Sequence, residues 1–144
     1  ARQDPEMKII ARTDARGISG INEALDRAAA FVEAGADATF VEAPKNLAEL
    51  RAIPSSIQAP QVANMVFGGL TPEPGREVLA SMGYSIVLYA NAALQTAIHA
   101  LDITLSSLRD TGSLAECSDL LASFDKRQAV VQKEKWDEFE RKHN

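Results

Sequence analysis

Residues 8–14 read KIIARTD, a short apolar run that ends in polar side chains. Such a run is typical of a strand buried on both faces, with functional groups at its carboxyl end. The same pattern returns at 38–42 (ATFVE), at 61–66 (QVANMV) and at 85–89 (SIVLY). Together these runs predict parallel strands in an α/β fold.

Helical patterns separate the predicted strands. Ser19 fits an N-cap position, and the helix that follows it is expected to stop at Gly35. A second helix, over 47–53, is expected to end at Pro54. Further helices are predicted over 74–82, 91–109 and 124–141. The order is therefore βαβαβαβα followed by a helical tail, which implies a parallel sheet with right-handed crossovers. Periodicity alone allows either a small open sheet or half of an eight-stranded barrel.

Composition and charge exclude several classes of protein. The 144 residues include 20 acidic and 15 basic side chains, and this net charge of −5 argues against a nucleic-acid binder. No apolar run approaches the roughly 20 residues of a membrane span. Cys117 is the sole cysteine, so neither an internal disulfide nor a multi-cysteine metal site can form. A reducing compartment fits this composition, and a cytoplasmic location is predicted.

Polar side chains stand at the carboxyl ends of all the predicted strands. They are Arg12, Glu42, Asn64 and Tyr89, and such ends converge on one site in parallel α/β folds. Arg12 offers a bidentate fork for a carboxylate or a phosphonate. Asn64 can donate to an oxyanion, and Glu42 can accept a substrate hydroxyl. The structural alternative is that Arg12 and Glu42 only form an ion pair at the rim of the sheet.

Several segments in this order and spacing resemble the isocitrate lyase/phosphoenolpyruvate mutase superfamily. The nearest resemblance is to its branch of 2-methylisocitrate lyase, dimethylmalate lyase, oxaloacetate hydrolase and carboxyphosphonoenolpyruvate mutase-like proteins. The segments are IIARTDAR (9–16), EALDRAAAFVEAGAD (23–37), FVEAP (40–44), ANMVFGG (63–69) and GYSIVLYANAALQTAIHA (83–100).

The resemblance implies a (β/α)8 barrel enzyme that makes or breaks a C–C or P–C bond next to an α-oxo carboxylate. It further implies a bound Mg²⁺ and an enolate-like intermediate at the barrel mouth. Arg12 is then the residue that grips the substrate carboxylate, and Glu42 lies near the hydroxyl that is deprotonated. Asn64 helps to bind a substrate carboxylate. Family members are usually tetramers that swap their last helix between subunits.

Two family features are missing from this sequence: the Mg²⁺-anchoring aspartates and the KKCGH loop of the first half of the barrel. We therefore expect residues 1–111 to form the second half of such a barrel, with the Mg²⁺ ligands outside this chain. Residues 112–144 are expected to be a helical segment swapped between the subunits of a dimer or tetramer.

The expected function is that of the carboxyl-terminal part of a Mg²⁺-dependent lyase, inactive as this fragment. Its substrate would be a 2-hydroxy di- or tricarboxylate, cleaved at a C–C bond through an enolate. One alternative is a mutase or hydrolase that acts on a phosphonate P–C bond. Another is a non-catalytic fragment that acts only in oligomer assembly.

Overall fold

The structure is a computed structural model that describes residue 4 and residues 6–143. Over these residues strands and helices alternate, and a run of helices follows the last strand. The strands are β1 (Ile10–Thr13), β2 (Ala38–Val41), β3 (Val62–Met65) and β4 (Ile86–Tyr89). The helices are α1 (Ala15–Ser19), α2 (Ile21–Glu33), α3 (Leu47–Ser56), α4 (Arg76–Met82), α5 (Ala92–Thr111), α6 (Phe124–Val130) and α7 (Lys133–His143), with a 3₁₀ helix at Ala115–Leu120. The predicted α/β alternation and helical tail are confirmed.

Neighbouring strands run parallel and follow one another in chain order. β1 pairs with β2 and β3 pairs with β4. A parallel bridge between Thr39 and Gln61 joins the two pairs. Because parallel strands point the same way, their carboxyl ends lie along one edge.

A buried polar contact accompanies the bridge between β2 and β3. Thr39 and Gln61 are both 0% exposed. The Thr39 hydroxyl donates to Oε1 of Gln61 at 2.7 Å, and Nε2 of Gln61 donates to the Ala59 carbonyl at 2.8 Å. These bonds satisfy groups that would otherwise be costly to bury.

The core lies between the central strands and the helices that cover them. Every residue of β2 is buried, and Ala28 of α2, Leu50 of α3 and Leu79 of α4 are each 0% exposed. The outer strands are more open, since Ile10 of β1 is 52% exposed and Leu88 of β4 is 45% exposed. The sheet therefore leaves apolar side chains uncovered on both of its outer strands.

Tyr84 also joins the core, just before β4. Its hydroxyl is buried without a hydrogen-bond partner among the described residues, and this burial raises the pKa of Tyr84. The preceding Gly83 has a φ of +104°, and a Cβ there would lie 3.2 Å from Cβ of Pro54. The backbone conformation therefore favours glycine at position 83, and a larger residue would also displace Pro54 of α3 slightly.

Two expected helix boundaries are wrong. Ser19 is the last residue of α1 rather than an N-cap, because Gly20, with a φ of +91°, separates α1 from α2. Pro54 does not end its helix but lies inside α3, which runs to Ser56. Proline lacks the N–H that would bond to the carbonyl of Leu50, but α3 ends two residues later, so little of its hydrogen-bond ladder is lost.

Residues 1–93 and residues 94–144 form two compact units. The predicted domain boundary at 111/112 remains a prediction. In the second unit, the helix expected over 124–141 is divided into α6 and α7 by Gln132, whose φ is +53°. The β-branched pair Val130–Val131 precedes this break, and such residues favour helix less than the unbranched ones. Among the described residues, no helix is both long and apolar enough to span a bilayer.

Candidate functional site

The carboxyl ends of the first three strands bring the predicted site residues together. Arg12 belongs to β1, Asn64 belongs to β3, and Glu42 follows β2 directly. The Glu42 backbone N–H donates to the Thr13 carbonyl at 3.0 Å, which extends the β1–β2 ladder by one residue. Glu42 is thereby placed between the other two side chains.

One oxygen of Glu42 links all three residues. Oε2 of Glu42 accepts a hydrogen bond from Nδ2 of Asn64 at 3.3 Å and lies 3.6 Å from Nη2 of Arg12. The Glu42 side chain is 24% exposed and that of Arg12 is 48% exposed. The site is therefore open enough for a small molecule to reach both groups.

Arg12 has a nearer partner than Glu42. Its Nε and Nη2 donate to the two carboxylate oxygens of Asp14 at 3.1 and 2.7 Å. Hydrogen bonding to Arg12 lowers the pKa of Asp14, and the same contact raises the pKa of Arg12. The guanidinium also lies 4.9 Å from the centroid of the Phe40 ring, a cation–π contact that holds it over β2.

Sequence reasoning missed Asp14 as a partner of Arg12. Asp14 lies beyond the end of β1, as the N-cap residue of α1, so the alternation of side chains along a strand did not predict this contact. The geometry shows a carboxylate in the fork of Arg12, which is the chemical group that the fork was predicted to bind. Arg12 can therefore hold a carboxylate here, and a substrate carboxylate would have to replace or adjoin that of Asp14.

Asn64 presents an acceptor without a partner. Its Oδ1 is buried and has no hydrogen bond within the described part of the chain. A buried orphan acceptor costs free energy, so its presence beside a cavity indicates a place for a donor from a ligand. That cavity has a volume of about 260 Å³ and is lined by Glu42, Ala43, Asn64, Val66, Gly69, Leu70 and Thr71.

Tyr89, the fourth predicted strand-end residue, lies at the end of β4 beside Met65. It is 45% exposed. Among the described residues, an ion pair links Arg12 to Glu42 and a hydrogen bond links Glu42 to Asn64, but neither contact extends to Tyr89.

The described residues do not fit a Mg²⁺ site by themselves. They contain no group of three or more His, Cys, Asp or Glu side chains close enough to hold a metal ion. Mg²⁺ is usually held through one or two free carboxylates together with waters and substrate oxygens, whereas the Glu42 carboxylate at this edge lies 3.6 Å from the Arg12 guanidinium and accepts a hydrogen bond from Asn64. Asp14 is moreover engaged by Arg12.

Comparison with known proteins places the chain in a family. The sequence profile of the phosphoenolpyruvate phosphomutase family matches residues 1–109. The chain belongs to this family. It thereby belongs to the isocitrate lyase/PEP mutase superfamily, and the resemblance drawn from its strand motifs is confirmed.

Individual family members match most of this chain. It is 37% identical to 2,3-dimethylmalate lyase of Eubacterium barkeri over 99% of the chain and 49% of that protein. It is 38% identical to 2-methylisocitrate lyase of Halalkalibacterium halodurans over 76% of the chain and 36% of that enzyme. A crystal structure of phosphonopyruvate hydrolase with oxalate and Mg²⁺ matches with a TM-score of 0.75 and 26% identity, covering 96% of this chain and 50% of that one. The chain thus spans about half the length of such relatives.

Proposed function

We propose that this chain forms the substrate-binding half of a lyase that cleaves a C–C bond in a 2-hydroxy di- or tricarboxylate. The observation that carries the proposal is the link through Oε2 of Glu42, which joins Arg12 and Asn64 beside the cavity. Similarity to dimethylmalate lyase and methylisocitrate lyase supports the reaction class.

The proposed reaction is a retro-aldol cleavage. Glu42 accepts the proton of the substrate hydroxyl, and that carbon becomes a carbonyl as its bond to the neighbouring carbon breaks. The bonding electrons move onto the carbon next to a carboxylate and form an enolate, which a proton then quenches. Arg12 binds a substrate carboxylate through its fork, and the Asn64 amide donates to the developing negative charge.

For the fold around this site, we propose half of a (β/α)8 barrel over residues 1–111. The chain-order arrangement of the parallel strands supports this proposal, as do the apolar side chains left open on β1 and β4. In the proposal the Mg²⁺ is held by residues outside this chain, since the described residues do not fit it alone. The matched phosphonopyruvate hydrolase binds Mg²⁺ together with oxalate.

A phosphonate mutase or hydrolase is the second candidate. The fork of Arg12 can bind a phosphonate as well as a carboxylate, and the match to phosphonopyruvate hydrolase supports this alternative. Steady-state assays of the complete enzyme on 2,3-dimethylmalate, 2-methylisocitrate and phosphonopyruvate separate the two. If the enzyme turns over phosphonopyruvate but neither 2,3-dimethylmalate nor 2-methylisocitrate, the proposal of a C–C lyase is overturned.

The role of Arg12 has its own test in the complete enzyme. Arg12→Lys should raise KM by about 10- to 100-fold, because losing a charge-assisted hydrogen bond costs about 1.5–3 kcal/mol. The matched control is Arg27→Lys, since Arg27 pairs with Glu23 on the exposed face of α2. A lower melting temperature with an unchanged KM would mean that Arg12 has only a structural role.

The 144-residue chain alone is expected to lack lyase activity, because its described residues do not present a Mg²⁺ site of their own. A steady-state assay with Mg²⁺ tests this on the same substrates. Turnover within about tenfold of the roughly 10 per second of a typical enzyme would contradict the expectation. A chain that acts only in oligomer assembly remains the non-catalytic alternative.

We further propose that the complete protein is a cytoplasmic homo-oligomer, a dimer or tetramer, in which residues 112–144 are exchanged between subunits. The apolar stripe of α7 supports exchange, since Trp136 is 60% exposed and Phe139 is 53% exposed. Their rings form an edge-to-face pair with centroids 6.3 Å apart. Burying such rings against another subunit would stabilise the assembly by about 1.5–3 kcal/mol each. The buried free thiol of Cys117 suits a reducing compartment.

A further inference from the structure

A shielded ion pair joins α1 to α3 close to the site. Nε and Nη2 of Arg16 donate to the two carboxylate oxygens of Glu49 at 2.8 and 2.6 Å. Their side chains are only 13% and 14% exposed. The contact lowers the pKa of Glu49 and raises that of Arg16. The contact is bidentate, and it differs from the bidentate pair of Arg109 with Asp110 in being largely shielded from solvent.

Glu49 also holds the backbone that leads away from Glu42. Oε2 of Glu49 accepts the Lys45 backbone N–H at 2.8 Å. The Glu49 N–H is in turn bound by the N-cap side chain of Asn46 at 2.8 Å. The short connection between β2 and α3 is therefore tied to the carboxylate of Glu49, and through Arg16 to the segment that follows β1.

This connection contains a strained residue. Ala43, between Glu42 and the bound Lys45, has a φ of +55°. A non-glycine residue in the left-handed region costs free energy and persists only where its surroundings enforce it. Glu49 binds the backbone N–H of Lys45, two residues further along, and Ala43 itself lines the cavity beside Glu42.

We propose that Glu49, held by Arg16, is a positioning residue that keeps Glu42 within reach of Asn64. The inference rests on the proposed function, because it gives Glu42 its role. Without the Glu49 carboxylate, Ala43 relaxes toward an ordinary conformation and the Glu42 side chain moves away from Nδ2 of Asn64. A helix-to-helix ion pair with a purely structural role would stabilise the fold but leave that contact unchanged.

The test compares variants of the 144-residue chain by NMR. Glu49→Ala should speed hydrogen exchange of the Lys45 amide at least tenfold and shift the Asn64 side-chain amide signals toward their solvent-exposed positions. Glu49→Gln keeps an acceptor for Lys45 but loses the ion pair, so its effect on exchange should be smaller. Glu23→Gln is the matched control, since Glu23 pairs with an arginine on the exposed face of α2.

Unmoved Asn64 signals in Glu49→Ala, with a lowered melting temperature, would overturn the proposal. If the Glu49→Ala variant does not fold, the Asn64 side-chain amide signals of the Glu49→Gln variant test the proposal instead. Titration of the unsubstituted chain with oxalate tests the proposed carboxylate binding separately through the Arg12 Nε–H and Asn64 signals. A chain that does not respond to oxalate would count against carboxylate binding, while the response of Asn64 to Glu49 substitution would still decide the positioning role.

Discussion

Replacing Thr39 with valine should loosen the junction between β2 and β3. The substitution keeps the shape of the side chain but removes a hydroxyl that donates to Oε1 of Gln61 at 2.7 Å. Both residues are 0% exposed, so water cannot replace the lost donor. Leaving a buried acceptor unsatisfied costs about 1–3 kcal/mol. A loss of about 2 kcal/mol lowers the folding equilibrium constant roughly 30-fold.

Urea unfolding measures this loss directly. With a slope of about 1–3 kcal/mol per molar urea, the midpoint should fall by about 1 M. Thr39→Ser is the matched control, because it keeps the donor and removes one methyl group, at about 0.8 kcal/mol.

The decisive experiment repeats Thr39→Val in a Gln61→Met background. Once the acceptor is gone, valine should cost little, and the two substitutions should show a coupling energy of about 1 kcal/mol or more. If Thr39→Val costs the same in both backgrounds, the reasoning from the buried contact is refuted. The outcome matters for the site, since Glu42 directly follows β2, Asn64 lies in β3, and this junction joins the two strands.

Three further outcomes are expected. Hydrogen bonds from Arg16 lower the pKa of Glu49 from 4.5, so the unfolded chain binds a proton at Glu49 more readily than the folded chain does. The stability that this ion pair contributes is therefore present above pH 4.5 and is lost as the pH falls through the folded-state pKa. Glu49→Gln should make the free energy of unfolding, measured with urea, depend less on pH in the acid range. Gly83→Ala should destabilise the chain by about 1–3 kcal/mol in the same assay, since φ is +104° there, whereas Gly17→Ala in α1, with open space for a Cβ, should not. Trp136→Ala should reduce oligomer size in light scattering with the fold retained; an unchanged oligomer with a lower melting temperature would refute helix exchange.

The strands and their parallel order were predictable because each is a short apolar run with a polar end. The structure trims each run by one to three residues at its ends, as for 8–14, of which Ile10–Thr13 are in β1. A buried parallel strand is recognisable as a continuous apolar run because both of its faces pack against apolar side chains.

Some helix boundaries could not be predicted from the local sequence pattern. Pro54 reads as a helix end, but the chain continues as helix to Ser56, where Ile57 N–H still bonds to the Ile53 carbonyl at 3.2 Å. The break at Gln132 is likewise a matter of backbone conformation. At Pro54 the packing of α3, in which Leu50 and Ile53 are buried, outweighs the local propensity.

At the site, convergence of Arg12, Glu42 and Asn64 followed from strand direction alone, and the structure brings them within hydrogen-bond or ion-pair distance. The pairing of Arg16 with Glu49 had no such signal. These residues are 33 positions apart, and their contact depends on how α1 and α3 pack. Sequence can place a side chain at the end of a strand, but a partner on a distant helix becomes visible only once the fold is built.

Trp136 has a consequence for how unfolding of this chain is observed. It is the sole tryptophan, and it lies in the second compact unit with 60% of its surface already in water. Where α7 is not packed on another subunit, the emission of Trp136 therefore changes little on unfolding. Tyr84, 7% exposed in the first unit, reports on the core through its near-ultraviolet absorption. A fluorescence melt and a circular dichroism melt of this chain should differ even when the sheet unfolds in one cooperative step, so their mismatch is not a sign of an intermediate.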